Sequence, residues 1–191
     1  MAQTLRTLLV QRAARLQGRP ALTAPGWGTL SWSAWRNRVE AVGFGLLAGT
    51  PPPAVQARTG TPWDWAAEVA AACCGLAWDE AGAALDDAFF TTLEAHAETG
   101  RGPYHRSESC VLPETPFSAG LDHAALLLKL QRLNRSLEWD HRTELRVPLS
   151  GLGTPEARAA LWSVLYAGGH ARLGASAPGW DPLPFRDFWM P

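Results

Sequence analysis

Thr61-Pro62-Trp63-Asp64-Trp65-Ala66-Ala67-Glu68-Val69-Ala70-Ala71-Ala72-Cys73-Cys74-Gly75-Leu76-Ala77-Trp78 is the stretch that decides the fold. Thr61 reads as an N-cap, Pro62 as the first helical residue, and Asp64 as a carboxylate at the positive end of the helix dipole. The Ala-rich body closes on Gly75 and runs into a short apolar segment, as a helix does when it lies close on a sheet and hands over to a strand. The same build returns over Thr154 to Leu173, where Thr154-Pro155-Glu156 opens a helix, Gly168-Gly169 ends it and Ala171-Arg172-Leu173 follows. Two such units predict an α/β fold with a largely parallel sheet flanked by helices.

Working outward, Leu5, Leu8, Leu9, Ala13 and Leu16 recur at helical spacing until Gly18 and Pro20. Ala21-Leu22-Thr23 and Thr29-Leu30-Ser31 flank turn residues and predict a hairpin. Ser31 is the expected N-cap of a helix whose Trp35, Val39, Val42 and Leu46 form one stripe. Pro51-Pro52-Pro53 breaks the chain before a strand over Ala54 to Ala57. A further helix is expected over Asp79 to Ala97, ended by Thr99-Gly100-Arg101-Gly102-Pro103, and a buried strand over Cys110-Val111-Leu112. Asp122 should cap a long helix with Leu126, Leu130, Leu133 and Leu137 on one side, before a strand over Glu144 to Leu149. One domain over residues 1–176 and an aromatic, Pro-containing tail over 177–191 are expected, since 191 residues at 47% hydrophobic content bury one substantial core.

Net charge is -1, with Lys129 the only lysine and the arginines scattered among 18 acidic residues, so neither nucleic acid nor an anionic membrane is the expected partner. Three cysteines, with Cys73 and Cys74 adjacent on a helix, form neither a secreted disulfide framework nor a zinc site, which fits the cytoplasm. The arginines interrupting residues 1–18 exclude a signal peptide, and no stretch has membrane-spanning length. His96, His105, His141 and His170 lack metal-ligand spacing, and no metal site is expected.

In order along the chain, four stretches carry a family resemblance. They are Gly18-Arg19-Pro20-Ala21-Leu22 with Leu30 to Val39 and Gly45-Leu46-Leu47; Thr61 to Trp78; Leu121-Asp122-His123-Ala124-Ala125-Leu126-Leu127; and Val147-Pro148-Leu149-Ser150 with Leu161 to Gly169. Together they resemble the N-terminal region of the acyl-adenylate-forming enzymes, the AMP-dependent synthetases and ligases that include acyl-CoA synthetases. The resemblance implies that family's N-terminal subdomain fold, with an opening helix and hairpin. It also implies that Thr115, Ser118, Gly120 and His123 mark the place of the phosphate loop.

That loop in the family is rich in Ser, Thr and Gly and ends in a lysine, because close backbone N–H groups and a cation stabilise pyrophosphate. Here Thr115-Pro116-Phe117-Ser118-Ala119-Gly120 has one glycine, no lysine and a proline that removes a donor, with Glu114 beside it. The chain also stops short of the family's adenine, ribose and magnesium residues. The expectation is therefore a catalytically degenerate ligase-like domain with no catalytic residue and no cofactor of its own, residual ATP or AMP binding apart. It would act through a homo-oligomer or another protein, or through a residual acyl or nucleotide pocket. The alternatives are one half of a split acyl-adenylating ligase and an unrelated small α/β hydrolase using Ser118 near Asp122 and His123, although Asp122 is better explained as an N-cap and no nucleophile elbow is present. Trp27, Trp32, Trp35, Trp63, Trp65 and Trp78 read either as core or as an interface cluster.

Overall fold

A computed structural model describes residues 3–48, 50–93 and 111–190. In chain order these form α1 (Leu5–Leu16), β1 (Pro20–Ala24), β2 (Gly28–Ser31), α2 (Trp32–Leu46), β3 (Ala54–Ala57), α3 (Trp63–Cys74), β4 (Ala77–Trp78), β5 (Ala83–Leu85) and α4 (Asp87–Thr91). Beyond residue 110 come β6 (Pro116–Ser118), β7 (Leu121–Asp122), α5 (His123–Leu137), β8 (Glu144–Val147), α6 (Pro155–Ala167) and β9 (His170–Leu173).

The expected α/β architecture is present. One sheet runs β2-β1-β9-β8 and a second runs β4-β3-β5, while β6 and β7 make a separate hairpin. Pairings β1–β9, β8–β9, β3–β4 and β3–β5 are parallel, and only β1–β2 and β6–β7 are antiparallel among the described residues. The register joins Leu22 to Ala171, so the start and the end of the fold meet in one sheet.

The helices follow from local chemistry. Ser31 accepts from Ala34 N, Asp122 from Ala125 N and Thr154 from Ala157 N, each filling one otherwise empty donor of a first turn. Pro155 sits in the first turn of α6, and Gly168 closes it in the left-handed conformation. Helix α3 is buried from Asp64 through Cys74 and packs against α1, α2, β3 and β4, which explains why, Asp64 and Glu68 apart, it is apolar all round. Val39, Val42, Val55 and Val147 are fully buried, each contributing about 1.5–3 kcal/mol by leaving water.

The structure corrects four local expectations. Helix α3 begins one residue later than expected: Pro62 holds the N-cap place with helical angles and no side-chain cap, Thr61 Oγ1 accepts from Trp63 N at 3.3 Å, and Asp64 turns back to accept from Thr59 N, Thr59 Oγ1 and Gly60 N at 2.9, 2.7 and 2.9 Å. Burial of Asp64 makes those three donors worth more than a dipole contact at an exposed terminus. The helix expected from Asp79 is a turn, then β5, then the short α4. Asp79 Oδ1 accepts from Ala81 N, and Gly82 passes so close over β3 that a Cβ there would lie 2.7 Å from Val55 N. Sheet pairing to β3 thus overrides the helical propensity of the alanines. Val111 and Leu112 form no strand, because the chain turns at once through Thr115 N→Leu112 O and Leu112 N→Thr115 Oγ1. The strand after Glu144 ends at Val147, where Pro148 leads into a short 3-10 turn. The rest of the Asp79–Ala97 helix, the 99–103 break, His96, His105 and Cys110 lie outside the described residues.

The tail packs down. Phe185, Phe188 and Trp189 join the main core, and Lys129 Nζ donates to the carbonyls of Phe188 and Met190. No helix among the described residues is long and apolar enough to cross a membrane.

Candidate functional site

The positions expected to mark a phosphate loop fold into the β6–β7 hairpin. Ser118 pairs with Leu121, which leaves Ala119-Gly120 as a two-residue connection. Both have positive φ, 52° and 75°, the signature of a type I′ turn whose twist matches the flanking strands. A turn this tight has no run of convergent backbone N–H groups to wrap an oxyanion.

Each candidate residue has a structural occupation. Thr115 Oγ1 closes its own turn by accepting from Leu112 N. Gly120 supplies the second turn position. Ser118, buried, has its hydroxyl oxygen accepting from Arg158 Nη2 at 2.9 Å. His123 is fully buried and its Nδ1 accepts from Leu5 N at 3.1 Å, which ties the start of α5 to the start of α1. Neutral His123 therefore carries its proton on Nε2, and burial, opposed by nearby Asp122, pulls its pKa down to about 4. The four residues are brought together in sequence but not around a common point. Ser118 and the turn face one cleft, whereas His123 faces α1.

That cleft, about 280 Å³, opens beside the ends of β3 and β4, between the start of α3, the hairpin turn and the start of α6. Its inner wall is an ion pair that sequence inspection missed. Arg158 Nε and Nη2 bind Glu68 Oε2 and Oε1 at 3.0 and 2.9 Å, with the two side chains 15% and 3% exposed. Trp162 Nε1 donates to the same Glu68 oxygen at 2.8 Å, and the guanidinium lies 4.4 Å from the Trp189 ring. Arg158 is committed to this cluster through Nε and Nη2, so it acts as an internal tie for the buried Glu68 carboxylate. Asp64, Glu68, Asp79 and Glu80 line the cleft against Arg58 and Arg158, and Arg58 is itself paired to Glu80 at 2.9 Å. The excess of carboxylates opposes a triphosphate. A signal was available: Glu68 is the one charge between Trp65 and Cys74, and Arg158 the one charge between Ala157 and Ala167, so each needed a buried partner.

Among the described residues no group of three His, Cys, Asp or Glu side chains could hold a metal ion. Cys73 and Cys74 are buried free thiols, and burial pushes the Cys73 thiol up to about 12, which leaves it unreactive. Of the tryptophans, Trp32, Trp35 and Trp65 are core, while Trp63 stacks on Phe90 and meets Trp27 edge-on, with the Arg38 guanidinium near both rings. His170 is shared between Thr23 Oγ1 and Glu144 rather than a ligand set.

The fold is that of the N-terminal part of the adenylating ligases, as the four sequence stretches implied. The structure of VinN with L-aspartate superposes with a TM-score of 0.67 at 10% identity, covering 90% of this chain and 62% of that one. The fused adenylation-PCP di-domain NpsA-ThdA from Klebsiella oxytoca gives 0.67 at 11% identity, covering 93% and 40%. The N-terminal domain of FACL13 from Mycobacterium tuberculosis gives 0.61 at 11% identity, covering 95% and 58%. At these identities the likeness concerns the fold alone, and the chain spans about 40–62% of the length of these three structures. No protein-family model and no curated protein sequence matches the chain.

Proposed function

We propose that this chain is a ligase-like domain that does not adenylate by itself and works through assembly with another polypeptide. The observation that carries the reading is the Ala119-Gly120 turn, with the neighbouring Ser118 hydroxyl held by Arg158 and Arg158 neutralised by Glu68. A phosphate-gripping loop needs spare donors and a spare cation, and this corner offers a tight turn and a satisfied ion pair. The same contacts weigh against the hydrolase reading, because the partner of Ser118 is a guanidinium rather than a histidine base.

ATP–pyrophosphate exchange with the purified chain tests the proposal across a panel of amino and fatty acids. No exchange above the no-enzyme blank is expected; turnover by the chain alone overturns it. A second reading, one half of a split acyl-adenylating ligase, is favoured by the greater length of the structures that share the fold. In that case a complementary polypeptide brings the cation and metal ligands, and its addition restores exchange.

A further inference from the structure

Helices α1 and α5 are joined at their starts by the Leu5 N–His123 Nδ1 hydrogen bond and enclose a groove of about 520 Å³. Leu8, Leu127 and Leu128 give it an apolar lining, with Gln11, Gln131 and Arg15 among its polar walls. Leu8 and Leu127 are buried, but Leu128 is 46% exposed, one of the few large hydrophobic side chains left to solvent. The face extends along both helices: positions 124, 127, 128 and 131 of α5 and positions 8, 11, 12 and 15 of α1 follow helical spacing.

The charge around this groove is not scattered. Helix α1 carries Arg6, Arg12 and Arg15, and α5 carries Lys129, Arg132 and Arg135, and neither contains an acidic residue, in a chain whose net charge is -1. Arg6 is buried on Cys73 O, Lys129 holds the tail and Arg132 lies off the lining, which leaves Arg12 and Arg15 in the groove and Arg135 one turn beyond Gln131. Arg12 donates through Nη2 to Tyr166 O and lies over the Tyr166 ring, yet its Nε is buried with no acceptor among the described residues. Burial and the neighbouring charge of Arg15 both disfavour its protonated form, against a favourable contribution from Tyr166.

We infer that the α1–α5 groove docks an acidic amphipathic helix of a partner protein, with leucine-like side chains on Leu8, Leu127 and Leu128 and carboxylates on Arg12 and Arg15. A second copy of this chain is a poor occupant of the same face, since a two-fold contact would set acid-free helices against each other. A recessed apolar floor also fits side chains at i, i+3, i+4 and i+7 better than the phosphates of nucleic acid or a flat bilayer. The inference deepens the assembly part of the function proposed above, and the two fail separately: exchange reports adenylation, whereas the test below reports docking.

The probe is a fluorescein-labelled peptide of about 18 residues, five helical turns, with leucines at that spacing and glutamates elsewhere. Fluorescence anisotropy with the full chain should show saturable binding. A scrambled peptide of equal composition and a lysine-for-glutamate version should each bind at least about tenfold more weakly. Leu128→Asp and Arg15→Glu, both at exposed positions, should each weaken binding about tenfold while leaving the thermal melt unchanged. If Leu128→Asp unfolds the chain, Arg15→Glu decides alone. Absent binding, equal binding of the scrambled peptide, or indifference to the surviving variants overturns the inference. So does tighter binding of single-stranded DNA or phosphatidylserine vesicles that the same variants abolish.

Discussion

Arg158→Leu tests the idea that the cleft wall is a structural tie. The substitution leaves Glu68, at 3% exposure, with Trp162 Nε1 as its one remaining donor among the contacts described above. Breaking one side of a buried, hydrogen-bonded pair costs about 3–5 kcal/mol. Losing the guanidinium stack on Trp189 adds about 0.5–1 kcal/mol. The sum, roughly 4–6 kcal/mol, is a large part of the ~5–15 kcal/mol by which a domain is ordinarily stable. Urea unfolding followed by tryptophan fluorescence reads the loss as a lower midpoint at an unchanged slope. Adding Glu68→Gln to the Arg158→Leu chain removes the stranded charge and should return about half of the loss, because a neutral amide needs only hydrogen bonds. A single-variant cost under about 1 kcal/mol, or a double variant no more stable than Arg158→Leu, would refute the reasoning.

Two further outcomes follow from the hairpin and from His123. Unfolded His123 takes up a proton near its ordinary 6.5 but the folded residue only near 4, so its contribution is complete above about 6.5 and falls as the pH drops through that window. Between pH 7.5 and 4.5 the chain should lose about 2–3 kcal/mol to this residue, and equal pH slopes for parent and His123→Asn in urea titrations would sink the assignment. Ala119→Asn places Asn-Gly in a turn that requires positive φ at both positions, and the midpoint of urea unfolding should rise by the equivalent of about 0.5–1 kcal/mol; an unchanged or lower midpoint contradicts the turn type.

What the sequence disclosed was local. Ser31, Asp122 and Thr154 announce their helices because a cap acts within three residues, and the stripe Trp35-Val39-Val42-Leu46 needs no knowledge of its partner. Strand β5 was hidden because Ala83-Ala84-Leu85 has no strand character of its own and becomes one only beside β3. The site was hidden for the same reason. Ser118, Glu68 and Arg158 come from separate elements, and the tie among them exists only after α3 and α6 have packed. The composition of Thr115 to Gly120 was legible in the sequence, whereas its folding into a two-residue turn required the register of β6 on β7.

The pairing of Leu22 with Ala171 bears on how the chain is made. During synthesis, β1 and β2 emerge early and leave one edge of their hairpin unsatisfied until β9 has cleared the ribosome. Closing so long a loop is entropically slow, and an open strand edge invites pairing with a stranger. Nascent chains interrupted before residue 170 should therefore lean on chaperones, and a nick beside β1 or β9 would disturb the same sheet.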